Sequence, residues 1–409
     1  MTHAIHDFTA KLRQEGVVDH VRRYVDWRRQ VAAARAAGEQ PPAPPAQAPV
    51  SINLDLTSAC NYRCTHCIDW DILNSGHRLA DDNLRASLRT MAEHGLRSVI
   101  LIGGGEPTLY PGFVAFVQFL KEELGLQVAV VSNGSRGDRL HAAAAYLDEG
   151  DWIRLSLDSG SNELFRAMHR PNSAEVTLES ICASMRALKA EHPRPKLGFS
   201  YVVVWSGASR DGETIHENIH EIVPAAALAR EYGFDYISYK PVLERQPDGA
   251  EVMDPSKTRE EQAAVVARIR AAVDEAKELE NSRFRVVESI NMRLLEAGTW
   301  SEYQNQPRTC HMQALRQVLT PTGVFNCPAH RGVDKARIAE TTAFQDREQL
   351  AQTGERLARI LDDFEADQEC AQVTCLYNRV NWWLEACVND DRPVEQCIET
   401  GPDGHDTFL

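Results

Sequence analysis

From Val50 onward, short apolar runs alternate with longer stretches in which apolar residues recur every three or four positions. The short runs predict strands near 51–57, 98–103, 127–132, 152–158, 197–204 and 235–240, with helices between them. Six successive β/α units predict an α/β fold, a parallel sheet curved into a partial (β/α)6 barrel of the TIM type. Folds of this kind place their chemistry at the carboxyl ends of the strands. Cys60, Gly103, Ser132, Asp158 and Lys240 all fall at or just past such ends.

The flanks read differently. Residues 3–38 predict one or two helices, apolar at Phe8, Leu12, Val18, Val21 and Val25 and more basic than acidic. The expectation is a helix packed on the main domain rather than a surface for a partner or membrane. Pro41, Pro42, Pro44, Pro45 and Pro49 then stiffen a linker. After Val242 the alternation fades into a charged helix near 257–280, a short strand near 284–288 and a helix near 290–297, followed by a cysteine-bearing region, 310–397. The domain limits expected are 1–49 for helices and linker, 50–245 for the barrel, 246–309 for a connecting helical region and 310–409 for a C-terminal domain of a short β-hairpin plus helices.

A chain of 409 residues, 43% hydrophobic, can bury a large core. Its apolar runs are strand-sized, far short of the roughly 20 residues that span a bilayer, so no membrane span is expected. The first residues carry no apolar signal core, which points to the cytoplasm. There, ten cysteines suit metal or redox chemistry better than disulfides. A net charge of -15 disfavours nucleic acid as a partner.

Cys60, Cys64 and Cys67 form Cys-x3-Cys-x2-Cys in the loop after the first strand. Three thiolates at this spacing can hold three irons of a 4Fe-4S cluster and leave the fourth open. A zinc site with His66 as fourth ligand, or plain buried cysteines, are the other readings. Gly103-Gly104-Gly105-Glu106-Pro107 follows the second strand. Its glycines let backbone approach a ligand, and Glu106 can accept hydrogen bonds from an ammonium. Ser132, Asn133, Ser156 and Asp158 offer hydroxyl, amide and carboxylate groups at the same rim, where turn and cap roles are the alternative. His169, Arg170 and Lys240 are polar groups within reach of it, equally suited to solvated surface, while Cys182 reads as a small core residue and Trp382 and Trp383 as core.

Together these motifs resemble the radical S-adenosylmethionine (SAM) superfamily over residues 50–245. The resemblance implies a 4Fe-4S cluster on Cys60, Cys64 and Cys67 that splits SAM into methionine and a 5'-deoxyadenosyl radical, with an external donor such as flavodoxin or ferredoxin supplying the electron. His66 stands where many members carry an aromatic residue. Gly104, Gly105 and Glu106 would bind the methionyl amino group, and Ser132, Asn133, Ser156 and Asp158 would meet the ribose and carboxylate of SAM.

Cys310, a glycine turn and Cys327 resemble the opening of the Twitch and SPASM auxiliary-cluster domains. A two-cluster SPASM domain uses seven cysteines with a Cys-x2-Cys pair, whereas this region has Cys310, Cys327, Cys370, Cys375, Cys387 and Cys397. One auxiliary 4Fe-4S cluster on Cys310, Cys327, Cys370 and Cys375 therefore fits, with Cys387 or Cys397 able to replace either of the last two, and a zinc site on the same thiolates as the alternative. The implied function is hydrogen abstraction from a small polar substrate of sugar, aminocyclitol or nucleotide-sugar type, giving oxidation or epimerisation in natural-product biosynthesis. A peptide maturase and a non-catalytic iron-sulfur or zinc protein are the other readings.

Overall fold

The computed structural model describes residues 7–246, 249–258 and 260–409. Residues 3–6 of the expected N-terminal helix, and residue 259 of the charged one, lie outside them. One sheet organises the chain, with strands β1 (Ser51–Leu54), β2 (Ser98–Leu101), β3 (Gln127–Ser132), β4 (Trp152–Ser156), β5 (Lys196–Val203), β6 (Tyr236–Pro241), β7 (Arg285–Glu288), β8 (Arg316–Thr320), β9 (Gly323–Phe325) and β10 (Arg337–Ala339). Their spatial order is β7-β6-β5-β4-β3-β2-β1-β8-β9-β10. From β7 to β8 every pairing is parallel, and β9 and β10 add antiparallel.

All six expected strands are present, and two more parallel ones join the edges. β7 was expected only as a short strand, and β8 pairs with β1, Ser51 opposite Arg316. The sheet thus runs across positions 245 and 309, where the sequence suggested domain limits. The expected turn after Thr320 connects β8 to β9, with Gly323 at φ 138 and its α-carbon side closed by Ala339 O, where a β-carbon would come within 2.7 Å.

Alternation decides which side of the sheet does what. Ile52, Leu54, Val99, Leu101, Val128, Val130, Ile153, Leu155, Leu197 and Phe199 are buried in one core with the outer helices. The residues between them face inward, and among these are Asn53, Arg154, Ser238, Lys240 and Arg316. Branched apolar side chains usually fill a closed barrel. Here the interior is partly polar and encloses a lumen of about 620 Å³.

At the amino ends of the strands, residues 405–409 close this lumen. Phe408 packs on Trp152, Thr407 O accepts from Ser98 Oγ at 2.7 Å, and Lys11 donates to Phe408 O at 2.6 Å. The helix Glu15–Ala37 ends on Gly38 in the left-handed region. It buries Val17, Val18, Val21, Val25 and Val31 chiefly against Leu361, Val380, Leu384 and Ile398. It therefore packs on the cysteine-bearing region more than on the barrel domain, where the sequence alone had placed it. Trp383 packs against the same cluster, whereas Trp382 is 42% exposed and so is not core. Among the described residues, no helix is long and apolar enough to cross a membrane.

Candidate active site

The loop after β1 is held by its own backbone. Cys60 N donates to Asn74 Oδ1 (3.0 Å), Thr65 N to Met168 O (2.8 Å) and Arg63 N to His169 O (3.2 Å). Cys60, Cys64 and Cys67 are half-buried on it. Burial pushes all three thiols up, Cys67 to about 12, with the neighbouring thiol charges adding to the effect at Cys64. An empty loop therefore holds neutral thiols, and a cation must draw their protons off.

Spacing tests which cation fits. Thiolates on one tetrahedral zinc lie about 3.8 Å apart, given Zn–S bonds of about 2.3 Å. Among the described residues, only His66, Asp158 and His169 bring three ligand atoms within 4.8 Å of one another. Neither cysteine set is gathered as closely as a single zinc requires, and an iron-sulfur cubane, whose thiolates bind separate irons, does not need them to be. His66 is not free to complete a zinc site either, since its Nε2 lies 2.9 Å from Asp158 Oδ2.

Asp158 is buried at φ 50, a conformation that aspartate tolerates better than most residues. Its Oδ1 accepts from Val202 N (2.6 Å), and its carbonyl accepts from Asn218 Nδ2 (2.9 Å). Burial alone would raise its pKa, but the His66 hydrogen bond and the nearby His169 hold the carboxyl below the usual range. His169 donates from Nε2 to Leu157 O (2.9 Å), which leaves Nδ1 to accept from the Cys64 thiol at 3.2 Å. In this geometry Asp158 and His66 brace the thiol loop.

The glycine motif lies directly against that loop. A β-carbon on Gly105 would come within 2.2 Å of Ala59 O, and Glu106 N donates to the same carbonyl at 2.8 Å. Gly103 and Gly104 both have positive φ, and Gly104 N donates to Asp69 Oδ2 at 3.2 Å. Glu106 is turned inward. It accepts from Thr108 N (3.0 Å), Thr108 Oγ1 (2.6 Å), Ser132 Oγ (2.8 Å) and Asn133 N (2.7 Å). Burial nonetheless raises its pKa. Asn133 Nδ2 donates to Asn61 Oδ1 (2.9 Å), tying the end of β3 to the thiol loop, and Ser156 ends β4 half-buried. The motifs after β1, β2, β3 and β4 thus share one rim.

The second cysteine set also converges. Cys310, Cys327, Cys370 and Cys375 line one cavity of about 190 Å³. Asn381 Nδ2 donates to Cys310 Sγ (3.4 Å), and His330 Nε2 lies 3.5 Å from Cys370 Sγ. Cys387 and Cys397 sit elsewhere, with the Cys387 thiol 3.8 Å from Cys397 O and Arg29 Nη2 3.3 Å from Cys397 Sγ. Neither lines the cavity.

Sequence reasoning missed the connection between the two sets. Arg331, four residues after Cys327, reaches the barrel rim, where its Nη2 pairs with Asp69 Oδ1 and its Nη1 lies 3.4 Å from Asp55 Oδ2. Two buried carboxyls, Asp55 and Asp69, and the half-buried Glu251 surround this one guanidinium. Arg331 stays cationic, while burial pushes both Asp55 and Glu251 up to about 7. The lumen residues Arg154, Ser200, Ser238 and Arg316 were missed too. For Arg154, Ser200 and Ser238 the signal, polar residues at every second position of otherwise apolar strands, is present in the sequence; Arg316, followed by Gln317, carries none.

Residues 54–194 match the Radical SAM superfamily. Over 111 residues the chain is 38% identical to an S-adenosylmethionine-dependent nucleotide dehydratase of a Thermoplasmatales archaeon, covering 27% of this chain and 38% of that protein. Over 132 residues it is 32% identical to a GTP 3',8-cyclase of Chlorobaculum tepidum, covering 32% of this chain and 39% of the other. The matched segment spans about two fifths of these relatives' length. Among solved structures, Streptococcus suis SuiB bound to precursor peptide SuiA shares the fold at a TM-score of 0.54 and 16% identity, covering 92% of this chain and 79% of that one. Native anSMEcpe with bound AdoMet and Cp18Cys peptide does so at 0.52 and 14%, covering 88% and 91%.

Fold and thiol loop together define a parallel α/β barrel protein of the iron-sulfur class. More particularly, residues 54–194 are a domain of the Radical SAM superfamily, to which a 4Fe-4S cluster and SAM belong as cofactors.

Proposed function

We propose that this chain is a cytoplasmic radical SAM enzyme acting on a small polar molecule of sugar, aminocyclitol or nucleotide-sugar type, by oxidation or epimerisation. Cys60, Cys64 and Cys67 would hold the 4Fe-4S cluster, and Cys310, Cys327, Cys370 and Cys375 an auxiliary one. With an electron from flavodoxin or ferredoxin, the first cluster supplies reductive cleavage of SAM to a hydrogen-abstracting 5'-deoxyadenosyl radical. The chain's own part is positioning. Gly104, Gly105 and the carbonyls around them present backbone to the methionyl end, and Glu106 fixes the ends of β2 and β3 relative to each other. Asn133, Ser132, Ser156 and Asp158 remain the groups proposed nearest the ribose and carboxylate.

The observation that carries this reading is the lumen. His66 and Ile68 of the thiol loop line one side of it, while Glu251, Asn291, Arg316, Leu376 and Tyr377 line both it and the auxiliary-cysteine cavity. A substrate there would sit between the two thiol sets, which suits oxidation with the auxiliary site as electron acceptor. Closure of the lumen by residues 405–409 favours a small molecule over a threaded peptide. The matched relatives named for nucleotide substrates agree with a small molecule, and those solved with peptides keep the peptide reading as the second one.

Anaerobic reconstitution tests the reading. Two centres require about eight irons per chain, and about four would remove the auxiliary cluster. Failure to form 5'-deoxyadenosine from SAM and reductant would remove the catalytic assignment.

A further inference from the structure

Three cations line the lumen without a carboxylate partner. Arg154, on β4, lies 4.8 Å from the Trp152 ring centroid, and its Nε is buried with no hydrogen-bond partner. Lys240, on β6, donates only to Ser200 Oγ, at 3.2 Å. Arg316 enters from β8, on the other arm of the curved sheet, and is 7% exposed. Its Nη2 donates to Asn53 Oδ1 (2.6 Å), while Nε and Nη1 are buried without partners.

None of the three forms an ion pair among the described residues. Of the two side-chain carboxylates that line the lumen, Asp406 already pairs with Lys11 at 2.9 Å, and Glu251 feels Arg331 and Arg245; the Leu409 main chain also lines it. Burying a cation without a counter-charge costs several kcal/mol. Of the three, Arg316 is buried and Arg154 and Lys240 are half-buried, and burial together with the nearby Arg154 lowers the Lys240 pKa well below its usual value against the opposing pull of Asp158; an anion from outside would supply the charge that the two unpaired guanidinium groups lack.

We propose that the lumen binds its substrate through a phosphate group, held by Arg154 and Lys240 from one wall and Arg316 from the other. This rests on the lumen being the substrate site. The charge count favours phosphate over carboxylate, because a phosphate monoester brings close to two negative charges and three acceptor oxygens, against one charge and two oxygens. Guanidinium forks pair with such oxygens bidentately. Trp152 and Tyr377 flank the cations and offer apolar faces to the rest of the molecule.

The test is calorimetric titration of the anaerobically reconstituted full chain with ribose 5-phosphate, ribose and ribonate. Ribose 5-phosphate should bind about tenfold or more tighter than ribose, and Arg154→Gln and Arg316→Gln should each weaken it by about tenfold or more. Iron content and unfolding midpoint of each Gln variant, expected to match the parent, separate lost recognition from misfolding. Ribose binding as well as its phosphate, ribonate binding tighter than the phosphate, or Gln variants that bind like the parent would each overturn the assignment. Formation of 5'-deoxyadenosine in the same preparation is read separately. Its presence without phosphate preference sinks only this proposal, and its absence with that preference sinks only the radical reading.

Discussion

Gly105→Ala probes the contact on which the site depends. The new methyl group would lie 2.2 Å from Ala59 O, 2.7 Å from Ala59 C and 2.7 Å from Ser58 C. All three are backbone atoms of the segment leading into Cys60, so no side chain can swing aside. Either the glycine motif or the thiol loop must move, and the 2.8 Å bond from Glu106 N to Ala59 O is then lost. Overpacking costs about 1–3 kcal/mol and the hydrogen bond about 0.5–1.5, so the total is about 1.5–4.5 kcal/mol. Denaturant unfolding of the reconstituted protein, alongside calorimetric SAM binding, reads both the stability and the ligand consequence. Gly16→Ala is the control, since its methyl group meets nothing within 4 Å and it lies in a helix, where alanine is favoured by about 1 kcal/mol. A Gly105→Ala protein with parental stability and SAM affinity would refute the packing claim.

Arg331→Met should destabilise the fold by about 3–5 kcal/mol, because it leaves Asp55 and Asp69 buried around an absent charge; unfolding midpoints check this. The same network predicts a pH dependence. Asp55 and Glu251, both pushed up to about 7, hold protons in the folded state that they lose when unfolded. Their contribution is full below the ordinary carboxylate range and lost as pH rises through 7. The buried His20 and His169, lowered to about 4, act in the opposite direction but only below about 6.5. Lys240 and Lys11, whose pKa values burial lowers, oppose this loss over the same range, so the test is the difference: between pH 6.5 and 8.5 the Asp55→Asn melting temperature should fall less, or rise more, than the parent's, and identical pH profiles would contradict this. Cys370→Ala should lower the iron content by about four per chain, while Cys387→Ala and Cys397→Ala should leave it unchanged in an iron assay.

The thiol loop and the glycine motif were legible because each is contiguous in sequence, so spacing alone carries its geometry. Strands from β1 to β6 were legible because one face of each is apolar. β8 was not, since it opens on two consecutive polar residues, Arg316 facing the lumen and Gln317 bonded to Gln313 O. Arg331 could not be linked to the rim from sequence, because its partners Asp55 and Asp69 lie 276 and 262 residues away. The lumen cations were individually visible. Only the register between distant strands shows that they face a common space.

The central claim is that the iron left open by Cys60, Cys64 and Cys67 binds SAM. The measurement is the electron paramagnetic resonance spectrum of the reduced Cys370→Ala/Cys375→Ala protein, in which the auxiliary site is disabled, recorded with and without SAM. A reduced 4Fe-4S signal whose g-values shift on adding SAM is the predicted result. A signal that SAM leaves unchanged would contradict the claim.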